Sequence, residues 1–170
     1  MNKIKTNLKV IIGILAVLIC VVLIRPWNYF MQSERYIENN VIRKYYKIID
    51  EEMDVDKYNS LVISSRRREN FNNIPDAVEK RDILNVERLY PEENDQVKQL
   101  IKEEYDGKED KVRFYFVEYD IKFKEGVATP VDSGRYCIVM RLEKEHGKWL
   151  INDNYSRAVK KNDGTIEIIS

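Results

Sequence analysis

Apolar positions along the chain fall into three regimes. The first is a continuous run. Residues 10–24 (VIIGILAVLICVVLI) hold no charge and no strongly polar side chain. A spanning helix takes about 20 residues, range roughly 17–25. The run is short by that measure, but Leu8 extends it and Lys9 and Arg25 can snorkel at its ends. Trp27, Tyr29, Phe30 and Met31 follow, and amphipathic rings just past an apolar run suit headgroup level. The pattern predicts a transmembrane anchor and interfacial belt over 10–31, after a basic tail at 1–9. The competing reading is a cleaved signal peptide, whose apolar core is about 7–15 residues. The stretch after Ile24, Arg-Pro-Trp-Asn-Tyr-Phe-Met-Gln-Ser, is a poor cleavage site, and Ile19 before Cys20 argues against lipidation.

The second regime repeats every three to four residues. Tyr36, Ile37, Val41, Ile42, Tyr45, Ile48, Ile49 and Met53 share one face of a helix that Ser33 is suited to cap. Asp56 is a candidate cap for a short second helix carrying Tyr58, Leu61, Val62 and Ile63. Phe71, Ile74 and Val78 suggest a helical turn around Pro75, and Pro91-Glu92-Glu93 opens a third helix with Val97, Leu100, Ile101 and Tyr105 inward, ended by Gly107.

The third regime alternates. Ile83–Tyr90 reads as a strand, with Ile83, Asn85, Glu87 and Leu89 on one side. Lys111–Lys124 is a long strand, with Tyr115, Val117, Tyr119, Ile121 and Phe123 on its better core face and Phe114 and Phe116 on the other. Ser133–Lys144 turns Tyr136, Ile138, Met140 and Leu142 inward and Arg135, Cys137, Val139 and Arg141 outward. Glu145-His146-Gly147-Lys148 is a hairpin turn, after which Trp149, Ile151 and Asp153 face inward. Asn162-Asp163-Gly164 turns a last hairpin. Helices followed by strands predict an α+β class: a transmembrane helix, then a curved antiparallel sheet wrapped on about three helices that share one face. The outer domain spans 33–155, and 156–170 add a C-terminal hairpin.

Charge sets the orientation. The 170 residues carry 29 basic and 29 acidic side chains; three lysines fall in the first 24 residues with no acid, so the remainder is at −3. Basic residues stay inside, which puts the N-terminus in the cytoplasm and the domain outside a single-pass membrane protein. A slightly acidic outer domain excludes nucleic acid as a partner. One histidine and two cysteines leave no metal site and no disulfide scaffold, and no cofactor motif is present.

The long first helix with Tyr45-Tyr46, and the ending Ser133-Gly134-Arg135-Tyr136 through Gly147-Lys148-Trp149-Leu150-Ile151-Asn152-Asp153, resemble the nuclear transport factor two-like (cystatin-like, cone) superfamily. The resemblance covers roughly 34–155 and is nearest to small uncharacterised members that Gram-positive bacteria export or anchor. It implies a sheet curved around helices with a conical cavity at one end, in a superfamily that includes isomerases, dehydratases and non-catalytic binding domains. Pairing through the sheet into a homodimer is common there.

Candidate chemistry follows from the predicted faces. Tyr115, Tyr119, Tyr136, Asp153 and Arg113 are the pocket candidates. Phenols can polarise a carbonyl, and a desolvated Asp has a raised pKa, yet tyrosines on an apolar strand face are ordinary core residues. His146 sits in a turn, without the positioned partner a general base needs. Arg66, Arg67 and Arg68 form a basic run suited to anionic headgroups or to a solvated loop. Phe114 and Phe116 mark an interaction surface unless the chain's own hairpin covers them. No catalytic constellation emerges. The expectation is a membrane-anchored extracytoplasmic binding module, held in the bilayer through 10–31, whose partner is an envelope protein or a small apolar ligand. The alternatives are a cone-pocket enzyme acting on a carbonyl compound and a scaffold part of a conjugation or secretion assembly.

Overall fold

The computed structural model describes residues 29–30, 32–72 and 76–169. Ser33 caps the first helix as its residue type predicts, its hydroxyl accepting from the Tyr36 N–H at 3.2 Å. The helix, α1, is a continuous run of α segments (Glu34–Tyr36, Arg43–Lys47) and π segments (Ile37–Ile42, Ile48–Glu52). Met53, in the left-handed region at φ 48°, ends it. The second helix, α2, is Val55–Asn59, and its cap is Asp54 rather than Asp56: the Asp54 carboxylate accepts from the Lys57 N–H at 3.0 Å. Leu61-Val62-Ile63 lie beyond α2 and run alongside Ile151 as a short parallel bridge. The expected turn around Pro75 lies outside the described residues for 73–75.

Five antiparallel strands follow in sheet order β1-β2-β3-β4-β5: β1 Val78–Leu89, β2 Val112–Phe123, β3 Gly134–Glu145, β4 Lys148–Lys160 and β5 Ile166–Ile169. Between β1 and β2 stands α3, Asp95–Glu104, capped by Asn94; Tyr90–Glu93 form a turn, so Pro91 precedes the helix instead of opening it. His146 and Gly147 both have positive φ, 51° and 76°, the geometry of a two-residue hairpin turn with the twist of its strands.

Bulges decide which residues face where. Between Ile83 and Asn85 the β1–β2 register shifts, leaving Leu84 unpaired and exposed. Ile83 and Val86 therefore both pack against α1, while Leu89 packs on the far side. In β4, register shifts leave Asn152 and Tyr155 without a partner opposite. Each extra residue bends its strand. The far end of β4 curls over the sheet so that Lys160 reaches Glu87 of β1 at 3.0 Å, across what would be three interstrand spacings of about 4.8 Å in a flat sheet.

Both sheet faces are buried as a result. On one, α1 and α2 cover Tyr115, Val117, Ile138, Met140, Leu142, Trp149 and Ile151. On the other, α3 and β5 cover Phe114, Phe116 and Val139 with Val97, Ile101, Ile166 and Ile168. This corrects the predicted fold class on two points. The helices do not share one face. And the architecture is a five-stranded antiparallel sheet with few helices, in which, among the described residues, no helix is long and apolar enough to cross a membrane. The segment read as an anchor, 10–31, lies outside the described residues except for Tyr29 and Phe30.

Side chains of α3 hold β5 in place. The Gln96 amide donates to the Ile168 carbonyl at 3.0 Å and accepts from the Ile168 N–H at 2.8 Å, and the Asn94 amide donates to the Ile166 carbonyl at 2.9 Å. Gln96 thus satisfies an edge that would otherwise template a further strand. Gln96→Ala removes both bonds and costs about 1–3 kcal/mol; amide exchange at Ile168 rises while β2 and β3 stay protected. Unchanged exchange at Ile168 contradicts the clamp.

Candidate functional site

The five pocket candidates do not converge. Tyr119 and Tyr136 stack on each other, ring centroids 5.9 Å apart, at the end of the sheet. Beside them the Arg81 guanidinium lies over both the Tyr46 and Tyr119 rings, 4.4 and 4.6 Å from their centroids. Its Nη2 donates to Oδ1 of Asp50 in α1 at 3.1 Å, and its Nε lies 2.9 Å from Oδ2 as an ion pair. Burial pushes the Asp50 carboxyl above its ordinary value, against the pull of Arg81. Burial raises the Tyr119 and Tyr46 phenols as well, so both stand as neutral donors.

Tyr115 and Arg113 belong to a second cluster at the start of α1. Glu34 accepts from the Tyr115 hydroxyl at 2.7 Å, pairs with Arg88, and lies 3.5 Å from Arg113. Burial first, then the Glu34 charge, holds the Tyr115 phenol protonated. Arg113 also donates to the Gln32 carbonyl at 3.0 Å and covers the Trp149 ring at 4.2 Å.

Asp153 is in neither group, and its predicted inward placement is corrected. The bulge at Asn152 turns it to the face opposite Ile151, where it pairs with Arg141 at 2.9 Å and Arg66 at 3.1 Å. Arg141 reaches on to Glu104 of α3 at 2.7 Å.

The surface candidates are placed as plainly. Phe114 and Phe116 are 0% exposed and offer no docking surface; α3 and β5 cover them. Arg66, Arg67 and Arg68 are exposed but held in a formed loop. Arg66 also donates to Asn152 at 3.2 Å, the Asn59 side chain bonds both the N–H and the carbonyl of Arg68 at 2.8 Å, and the Arg68 guanidinium lies 5.7 Å from the Tyr58 ring centroid. His146 is exposed in its turn.

Where the superfamily resemblance implies a conical cavity, the space between α1 and the sheet is filled by Tyr46, Tyr115, Met140 and Leu142, each 2% exposed or less. Open space lies at the surface instead. A groove of about 260 Å³ separates α1 from the first residues of β4. Its apolar walls are Tyr36, Val41, Leu61, Trp149 and Leu150, of which all but Tyr36 are buried. Its rim carries Asn40, Lys44, Ser60 and Lys148. The hairpin turn at 146–147 sets Lys148 and Trp149 at the head of β4, and the bridge from Val62 to Ile151 brings Ser60 and Leu61 alongside. Asn40 and Val41 belong to the first π segment of α1, a helical form that recurs at functional sites.

Sequence reasoning missed Asp50, Arg81 and Glu34, and the two rim lysines. Arg81 carried a signal: a cation at an inward position two residues before Ile83 needs a buried partner. Lys44 and Lys148 carried none, because only the docking of α1 on β4 brings them together. Among the described residues, no group of three or more His, Cys, Asp or Glu is placed to hold a metal ion.

Residues 39–154 match a family described as a domain of unknown function, DUF4829. No curated protein and no solved structure matches the chain.

Proposed function

Because the chain belongs to the DUF4829 family, whose description names no activity, we propose its function from its own geometry: it is a non-catalytic binding module of the cell envelope, and its ligand site is the groove between α1 and β4. The observation that carries this reading is the contrast between the two kinds of polar group. The carboxylates beside tyrosines, Asp50 and Glu34, are each committed to arginine. The polar groups on the groove rim stand over an apolar floor and face open space. Ligand sites are mostly apolar concavities with a few polar groups that fix orientation. The apolar run 10–24, with lysines before it and aromatic residues after it, supports a tethered, extracytoplasmic setting. Kinship with the nuclear transport factor two-like superfamily is part of the same proposal, supported by a long first helix packed on an antiparallel sheet and by the Gly147-Lys148-Trp149 turn at the groove.

The test uses the full chain in phosphatidylcholine nanodiscs, with Trp27→Phe and 5-fluorotryptophan, so that Trp149 supplies the single fluorine signal. The neutral probe 1-decanol moves that signal saturably. Asn40→Phe, a change at an exposed rim position, fills the groove, abolishes the shift and leaves the melting temperature as it was. A signal that ignores the probe, or a shift that survives Asn40→Phe, contradicts the reading.

A further inference from the structure

We infer that the ligand of this groove is an amphiphile with one short apolar chain and an anionic head, carboxylate or phosphate; the inference rests on the groove being the ligand site. Two rims supply the charge. Lys44 projects from α1 and Lys148 from β4, on opposite sides of the apolar floor. Both are exposed, and among the described residues neither pairs with a carboxylate.

Other lysines of this domain are committed to acidic partners. Lys57, Lys122, Lys124, Lys160 and Lys161 each lie within 3.0 Å of an acidic oxygen. Among the described residues, no acidic side chain lines the groove. Two more cations stand over the Trp149 ring, Arg113 at 4.2 Å and Lys144 at 5.7 Å from its centroid. The charged side chains that line the groove are thus both cationic, above an apolar surface. A neutral apolar ligand would use the floor and leave the rim idle. A free inorganic anion would use the rim and leave the floor wet. An anion-headed chain uses both.

Size limits the chain. At about 260 Å³ the groove falls just under the roughly 300–1,000 Å³ of sites for drug-sized ligands, which leaves no room for a two-chain lipid.

The fluorine experiment on the full chain in nanodiscs decides the matter. Decanoate binds roughly tenfold more tightly than 1-decanol, the difference expected when a charged hydrogen bond is added to equal apolar contact. The double change Lys44→Gln, Lys148→Gln removes that preference and brings decanoate to the affinity of 1-decanol. Both side chains are exposed, so the variant keeps its melting temperature. Equal affinity for the two probes, or a preference that survives in the double variant, overturns the anionic head while the groove remains a binding site. No shift with either probe overturns the groove itself. Displacement of decanoate by phosphatidylglycerol placed in the disc overturns the one-chain assignment in favour of a bilayer lipid head.

Discussion

Phe116→Ala lowers the unfolding free energy by about 3–5 kcal/mol, the range for emptying a fully buried aromatic site. The ring is 0% exposed. It is packed in the second core among residues of α3, β3 and β5, with the Lys160 ammonium 5.8 Å from its centroid. Removing it leaves a void that neither α3 nor β5 can close, because Gln96 and Asn94 tie those two elements together. The rival expectation, that Phe116 is an exposed contact for a partner, predicts a change within about 0.5 kcal/mol, as for surface positions generally. Urea denaturation separates the two. A small effect would mean that α3 and β5 do not cover this face in solution.

Asp50→Ala costs a comparable amount, about 3–5 kcal/mol, through another mechanism. The side chains of Asp50 and Arg81 are 7% and 11% exposed. Truncating the carboxylate strands a guanidinium over the Tyr46 and Tyr119 rings, with no other anion paired to it among the described residues. The double change Asp50→Leu, Arg81→Met recovers most of the loss, since an apolar pair of similar volume replaces a buried ion pair at little or no cost. If the double variant is as unstable as Asp50→Ala, the stranded guanidinium is not the source of the loss.

The pH dependence follows from the same carboxyl. Its folded-state pKa lies above the ordinary value of 3.8 because burial outweighs Arg81. The folded state therefore holds this proton more tightly than the unfolded chain does. The contribution of Asp50 is fully present below 3.8 and is lost as pH rises through the folded value. Denaturation of the parent and of Asp50→Asn across that window shows the parent losing relative stability as pH rises. A parent that gains relative to Asp50→Asn contradicts the direction.

Much of the fold was legible from periodicity, and the failures share one cause. The stripe Val97, Leu100, Ile101 and Tyr105 reads as a helix face and is one; β2 and β3 fall where alternation puts them. Alternation cannot show a residue that has no partner opposite. Leu84, Asn152 and Tyr155 are such residues, and each resets the faces after it. That is why Leu89 lies opposite Ile83, and Asp153 opposite Ile151. It is also why a sheet that reads as one-sided is buried on both faces, for the bulges in β4 carry β5 over Phe114 and Phe116. The site was less legible. The hairpin at His146-Gly147 places Trp149 correctly from sequence, but the tyrosines that alternation turns inward occupy positions that the core fills. The groove depends on a tertiary meeting of Lys44 and Lys148, 104 positions apart, which no local pattern records.

The central claim is the location of the ligand, and photo-cross-linking tests it most directly. A diazirine-bearing decanoate is irradiated with the full chain in phosphatidylcholine nanodiscs, and the modified residues are mapped by mass spectrometry. The account predicts labels on Tyr36–Lys44, on Ser60 and Leu61, and on Lys148–Leu150, all suppressed by excess decanoate. Labels that fall on Tyr119 and Tyr136, or on Arg66–Arg68, and are suppressed in the same way would contradict it.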